Sequence, residues 1–272
     1  MPAIDLTRLD RQISALTDSF GEPQDFRRGL HELLSSYHLY ARKVSKENMP
    51  KSFMRHYELP PQVVRQVELG LKPAVLQRPE ESLALIDALW EDEYYESRDL
   101  AAFMLGQLPL EYTPAAENRI TTWLSQPLDR ALQAAVLEKA PSSLRSQAKE
   151  QWEALLGKLL DSNSFHLQQS GLLALDYDLP ARPLSSFVSI YKLLRPFFKQ
   201  HDPRILSALQ DIVGHLARRN PSETIYFLKQ VLAESDTHAI EHIMRRYLPF
   251  FTPKDAESLR EAIGNHARRK LE

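Results

Sequence analysis

The sequence predicts an all-α protein, an α-α superhelix of stacked helix pairs, on three observations. Apolar residues recur at helical spacing almost throughout. Eighteen prolines stand against eight glycines, a balance that suits many helix starts and is poor in the glycine that hairpins and phosphate loops require. Alternating β-branched runs bounded by Asn-Gly or Gly-Gly turns are missing, so strands have no support and about a dozen helices are expected. A content of 43% apolar and 26% charged residues over 272 positions is that of an ordinary globular chain,.

Taken in order, residues 1–78 read as a less regular N-terminal helical cap, with a Pro-Pro helix start in "LPPQVVRQVELGL",. Helix pairs then start near residues 79, 114, 142, 184 and 221, a loose period of about 30 to 40 residues that suits helical repeats of the HEAT type. One domain spanning 1–272 is therefore expected. Thr113-Pro114 opens a helix bearing Ile120, Trp123 and Leu124. In 204–219 the apolar residues Ile205, Leu206, Leu209, Ile212, Val213 and Leu216 form one buried stripe,. The next helix is marked by Asn220 as N-cap, Pro221 at the first position and Glu223 placed to close a capping box,. Asp236 reads as the cap of a helix carrying Ile240, Ile243, Met244 and Leu248, and Thr252-Pro253 with Asp255 opens one carrying Leu259, Ala262 and Ile263.

Composition excludes some classes. With no cysteine, disulfide frameworks and thiolate metal sites are out. The charged start "MPAIDLTRLDRQ" is unlike a signal sequence, and no apolar run approaches the ~20 residues of a membrane helix, so a soluble cytoplasmic protein without membrane contact is expected. EF-hand, Walker A, Rossmann and nucleophile-elbow patterns are absent, and no cofactor is expected. The net charge of -2 hides an asymmetry: residues 1–140 hold 16 Lys/Arg and 21 Asp/Glu, residues 141–272 hold 18 and 15. Acid concentrates in "PEESLALIDALWEDEYYESRD", where Glu91, Asp92, Glu93 and Glu96 form an acidic patch; dibasic steps concentrate toward the C-terminus,.

Three segments carry a family resemblance. "SLALIDALWEDEYYESRDLAAFML" (82–105), "LLDSNSFHLQQSGLLAL" (159–175) and "IVGHLARRNPSETIYFLKQVLAESDTHAIEHIMRRYL" (212–248) resemble, in order and spacing, repeats of the bacterial DNA alkylation-repair family, the AlkD-like HEAT-repeat glycosylases. The resemblance covers roughly 53–248. It implies a C-shaped solenoid that grips duplex DNA in a basic concave groove and excises alkylated purines without flipping the base. The family's catalytic pair is a Trp and, four positions later, an Asp whose charge stabilises the breaking glycosidic bond. Here those positions fall on Leu128 and Leu132 of "WLSQPLDRALQAAV". Asp129 is the weak catalytic candidate nearby, roughly 300 degrees around a helix from Leu132. The family's groove arginine maps onto Gln169, and its second groove Trp maps near Asp211. Leu128 and Leu132, with Ala131, Ala135 and Val136, also fit a core stripe. Excision would then fall to Asp129, Asp161, Asp211 or another carboxylate.

Arg218-Arg219, Arg245-Arg246 and Arg268-Arg269 each close a helix, where positive charge complements the macrodipole. That accounts for one arginine at each place. Aligned along one edge of a solenoid, the pairs match duplex phosphates, so these six and Gln169 are the candidate DNA contacts. "HAIEH" (238–242) matches the zinc-protease pattern H-x-x-E-H with His238, Glu241 and His242, but lacks a third ligand at a recognisable spacing, and no metal is expected,. Trp90, Trp123 and Trp152 sit at core spacing, whereas Tyr94 and Tyr95 in the acidic turn are the aromatics expected at the surface. Three readings result, in order: a repair-like protein binding duplex DNA with weak or absent base excision; a HEAT scaffold for a protein partner; an active alkylpurine DNA glycosylase, the one enzyme class in view.

Overall fold

The structure is a computed structural model, and it describes residues 5–41, 52–181, 187–199, 202–235 and 238–269. Fifteen α-helices account for most of these. They are α1 Leu6–Asp18, α2 Pro23–Ala41, α3 Pro61–Gln77, α4 Pro79–Trp90, α5 Tyr95–Leu105, α6 Thr113–Leu124, α7 Arg130–Lys139, α8 Ser142–Gln147, α9 Lys149–Leu160, α10 Phe165–Ala181, α11 Phe187–Leu194, α12 Pro203–Arg219, α13 Pro221–Ala233, α14 His238–Tyr247 and α15 Pro253–Arg269. Among the described residues no strand forms; a lone parallel bridge joins Arg55 to Tyr94. The proline count finds its explanation here. Six helices, α2, α3, α4, α12, α13 and α15, begin on proline, where the missing N–H costs nothing,.

The chain divides into two compact units, Met1–Leu155 and Leu156–Glu272. In the first, α1 packs on α3, α3 on α5 and α5 on α7, while α2 packs on α4. Trp90 of α4 stacks on Trp123 of α6 at 4.0 Å and 9°. Odd helices thus form one layer and even helices the other, the signature of stacked helix pairs that bury their faces only against neighbours. Residues 5–77, read from sequence as an irregular cap, join this same alternation. In the second unit α10, α12 and α14 form one layer, and α13 and α15 belong to the other.

The local signals mostly resolve as helix starts. The α12 stripe is real: Ile205, Leu209, Ile212, Val213 and Leu216 are buried with Phe227, Met244 and Leu259 in one core. Thr252 caps α15 by accepting from the Asp255 N–H at 3.4 Å and donating to its carboxylate at 2.9 Å. At α13 the position is right and the chemistry differs. Asn220 makes no side-chain cap, because it also ends α12, donating its N–H to Leu216 at 2.8 Å while its carbonyl receives Thr224. The pair start expected near 184 and the cap Asp236 lie outside the described residues. No helix described is long and apolar enough to cross a membrane.

Candidate nucleic-acid interface

Contacts along the second unit give its layer a direction. Phe165 of α10 lies under Arg204 of α12 at 3.9 Å, Asp176 faces His215 at 3.5 Å, and the Leu179 carbonyl meets Arg219. Both helices therefore advance together and are parallel. Arg246 of α14 reaches Gln210 at 2.8 Å, and the Phe250 ring just beyond α14 lies over Gly214, so α14 is parallel to α12 as well. This layer carries Gln169, Arg218, Arg245 and Arg246.

The dibasic steps separate on it. Arg218 is exposed and donates to His215 Nδ1 at 2.7 Å; the bond requires that nitrogen to accept, which leaves the neutral ring's hydrogen on Nε2, toward Asp176. Burial pushes the Asp176 carboxyl above its ordinary range, helped by Asp211 and opposed by His215 and Arg218. Arg219 is exposed as well, but its guanidinium donates to the Leu179 carbonyl and lies 5.9 Å from the Phe187 ring. Arg245 is exposed, and Arg246 is exposed apart from its bond to neutral Gln210. From Gln210 to Arg218 is two turns, roughly 12 Å of axis.

The third step falls elsewhere. His266 of α15 bonds Glu241 at 2.9 Å and the Ser235 carbonyl at 2.8 Å, so α15 runs antiparallel to α14. Exposed Arg268, two residues on, lies in the other layer and at the opposite end from Arg245 and Arg246. The expected single edge is thus two rungs on one layer with a third apart. The Arg269 side chain lies outside the described residues.

Among the arginines described in this unit, Arg195, Arg204 and Arg260 pair with Glu234, Asp202 and Glu257 at 2.7, 2.9 and 2.8 Å. Arg218, Arg245, Arg246 and Arg268 have no carboxylate partner among the described residues. Gln169 is half-buried on α10, two turns before Asp176 on the same face,. Asp211 is exposed on α12, and Asp161 is exposed just before α10.

Asp129 belongs to the first unit and is not on a helix but before one. It is the N-cap of α7: Oδ1 accepts from the Leu132 N–H at 2.9 Å, while Oδ2 accepts from Ser52 Oγ at 2.6 Å and Phe53 N at 3.3 Å. Burial pushes this carboxyl up, but Ser52, Leu132, Phe53 and Ala131 together hold it below its ordinary range. Its oxygens are occupied by structure. Leu132, Ala135 and Val136 form the expected stripe, whereas Leu128 is a half-buried loop residue.

Two other expectations change. Tyr94 and Tyr95 are half-buried rather than displayed, Tyr94 stacking on Tyr57 at 4.5 Å. Asp92 and Glu96 are buried, so the acidic patch at the surface reduces to Glu91 and Glu93. In "HAIEH", Glu241 is turned into its bond with His266 and His242 is exposed; the His238 side chain lies outside the described residues.

Sequence reasoning missed a buried polar cluster in the first unit. Lys139 bonds Glu68 and Asp99, each at 2.6 Å, beside Glu96. The available signal was Glu96 and Asp99, one turn apart on α5 next to the apolar run "LAAFML",.

No family model matches the chain, and no curated protein does. Among solved structures, the crystal structure of an engineered protein from the Northeast Structural Genomics Consortium is similar over 95% of this chain and 69% of that one, at 16% identity and a TM-score of 0.34.

Proposed function

We propose that the chain is a helical-repeat protein of the DNA alkylation-repair type that binds duplex DNA through its phosphates, with weak or absent base excision, in the cytoplasm. The observation that carries this reading is the set of exposed arginines on the α12 and α14 ends, Arg218, Arg245 and Arg246, which share one layer and lack carboxylate partners among the described residues, whereas Arg195, Arg204 and Arg260 are paired with carboxylates. An exposed guanidinium without a partner keeps its charge for a phosphate and releases a counterion on contact. Helix C-termini on one parallel layer present several such charges together. Excision is assigned low weight because Asp129, the carboxylate nearest the family's catalytic position, spends both oxygens on capping and anchoring.

The protein-scaffold reading draws on the near-neutral charge, the missing catalytic pair and the Tyr-rich acidic turn; the first two stand, and the turn's Tyr94 and Asp92 are folded onto Tyr57 and His31. Duplex binding therefore ranks first. The test is binding to a labelled duplex across a salt series, wild type beside Arg218→Glu/Arg245→Glu, with a parallel assay for 7-methylguanine and 3-methyladenine release. Expected are a steep salt dependence that the variant flattens and little base release. Absence of binding at low salt sinks the reading and returns the arginines to helix ends.

A further inference from the structure

Residues 52–60 form a strap in the first unit that is fastened by polar bonds. Ser52 and Phe53 hold Asp129, the Arg55 carbonyl accepts from Tyr95 N at 2.8 Å, and Arg55 Nη1 pairs with Glu93 at 2.5 Å. Tyr57 N donates to Glu96 Oε1 at 2.8 Å. The Tyr57 hydroxyl lies 2.7 Å from His31 Nδ1, and His31 Nε2 lies 2.8 Å from the buried Asp92 carboxylate. His38 bonds the Tyr57 carbonyl. Apolar burial contributes little: Phe53 is 98% exposed, and among the strap's residues Pro60 alone is fully buried.

Under the strap is a cavity of about 20 Å³ whose walls are leucines and valines, including the strap's own Leu59, with Glu68, Glu96 and Asp99 as its polar groups. Lys139 is the cation there, and its ammonium is spent on Glu68 and Asp99. Glu96 is 9% exposed, and its Oε2 is buried with no hydrogen-bond partner. Such a cavity has room for one water and none for a hydrated counter-ion. An ionised carboxylate with one oxygen left unpaired in that setting is costlier than a protonated one,.

We propose that Glu96 carries a proton when the strap is closed and that its ionisation releases residues 52–60, making the strap a pH-gated cover over the cavity. The groups around Glu96 are consistent with this. His56 and Tyr57 come from the strap and Tyr95 and Asp99 from α5; Glu68 of α3 lines the same cavity, Lys139 of α7 is bonded to Glu68 and Asp99, and α2 contributes leucines and, through Tyr57, His31. Burial raises the Glu96 carboxyl, opposed by its own N–H, the Tyr57 N–H and His56. Burial raises Tyr57 as well, to about 12, so its hydroxyl stays a donor. The sign follows: with the closed-state pKa raised, closure is fully stable below the ordinary glutamate range of about 4.3 and weakens as pH rises through the raised value.

The experiment is amide hydrogen exchange at Tyr57 between pH 5 and 8, each rate divided by that of the unstructured peptide, in wild type and Glu96→Gln. Wild-type protection should fall with pH, by at most about tenfold per unit, between the ordinary glutamate value of about 4.3 and the raised closed-strap value, and level off above it, as transfer of one proton requires, while the variant stays flat. A flat wild type, or a variant with the wild-type slope, overturns the proposal. A carbon-detected titration of the Glu96 carboxyl in wild type gives an answer independent of the variant's folding: midpoint above the ordinary range supports the proposal, and a midpoint within or below that range overturns it.

Discussion

Arg218 and Arg219 are neighbours in sequence and part company in the fold, because one residue on a helix is about 100 degrees of turn. Arg218 faces solvent beside His215, and Arg219 faces the Leu179 carbonyl. Arg219→Ala should therefore cost about 0.5 to 1.5 kcal/mol, the net range for an accessible hydrogen bond, in urea melts, and leave the salt dependence of duplex binding unchanged. Arg218→Ala should cost under about 1 kcal/mol and reduce that dependence. Asp129 is a second case in which sequence named a residue and mistook its work. "QPLDRAL" contains an N-cap signature, Asp before the first helical turn, which the family comparison obscured,. Asp129→Ala should cost about 1 to 2 kcal/mol at pH 7. Since the folded state lowers this carboxyl, its contribution exists above the ordinary aspartate value of about 4 and vanishes as pH falls through the lowered one,. The gap between wild type and variant should narrow in melts taken at successively lower pH below about 4,.

Helices were legible because their starts are local: proline at the first turn and apolar spacing each act over a few residues. What joins one helix to another was not, since close approach depends on partners far along the chain. Gly106, at the end of α5, illustrates the difference. A Cβ there would stand 2.0 Å from the Lys139 carbonyl oxygen and 2.5 Å from Ser142 Oγ, so α5 and the end of α7 meet only because the side chain is missing. Gly264 in α15 has nothing within 4 Å of its Cβ position. Gly106→Ala should destabilise by about 1 to 3 kcal/mol, the cost of overpacking, and Gly264→Ala should stabilise by up to about 1 kcal/mol through lost chain freedom. Thermal melts of the two variants should move in opposite directions. The Lys139–Glu68–Asp99 cluster was illegible for the same reason: its three members lie on α7, α3 and α5.

At the scale of the whole molecule, the charge asymmetry seen in sequence follows the division into units. Met1–Leu155 holds 18 Lys/Arg against 23 Asp/Glu, and Leu156–Glu272 holds 16 against 13. A surplus that small does not by itself attract a polyanion at ordinary salt, so binding must depend on where the charges stand. On α12, exposed Asp211 lies two turns before Arg218 and next in sequence to Gln210, which Arg246 contacts. That acid stands roughly one Debye length, about 10 Å at 0.1 M salt, along the helix axis from Arg218, and it opposes the charges assigned to phosphate contact. Asp211→Asn should therefore tighten duplex binding several-fold at low salt, with the gain shrinking as salt is raised, and it should do so equally on duplexes of unrelated sequence, since phosphates carry no base information. Replacing Arg218, Arg245 and Arg246 by alanine should lower the slope of log K against log salt by about 0.9 for each arginine that meets a phosphate. Should Asp211→Asn leave affinity untouched while the arginine variants weaken it, the contact surface lies on the far side of the helix ends from Asp211; should neither matter, this layer does not meet DNA.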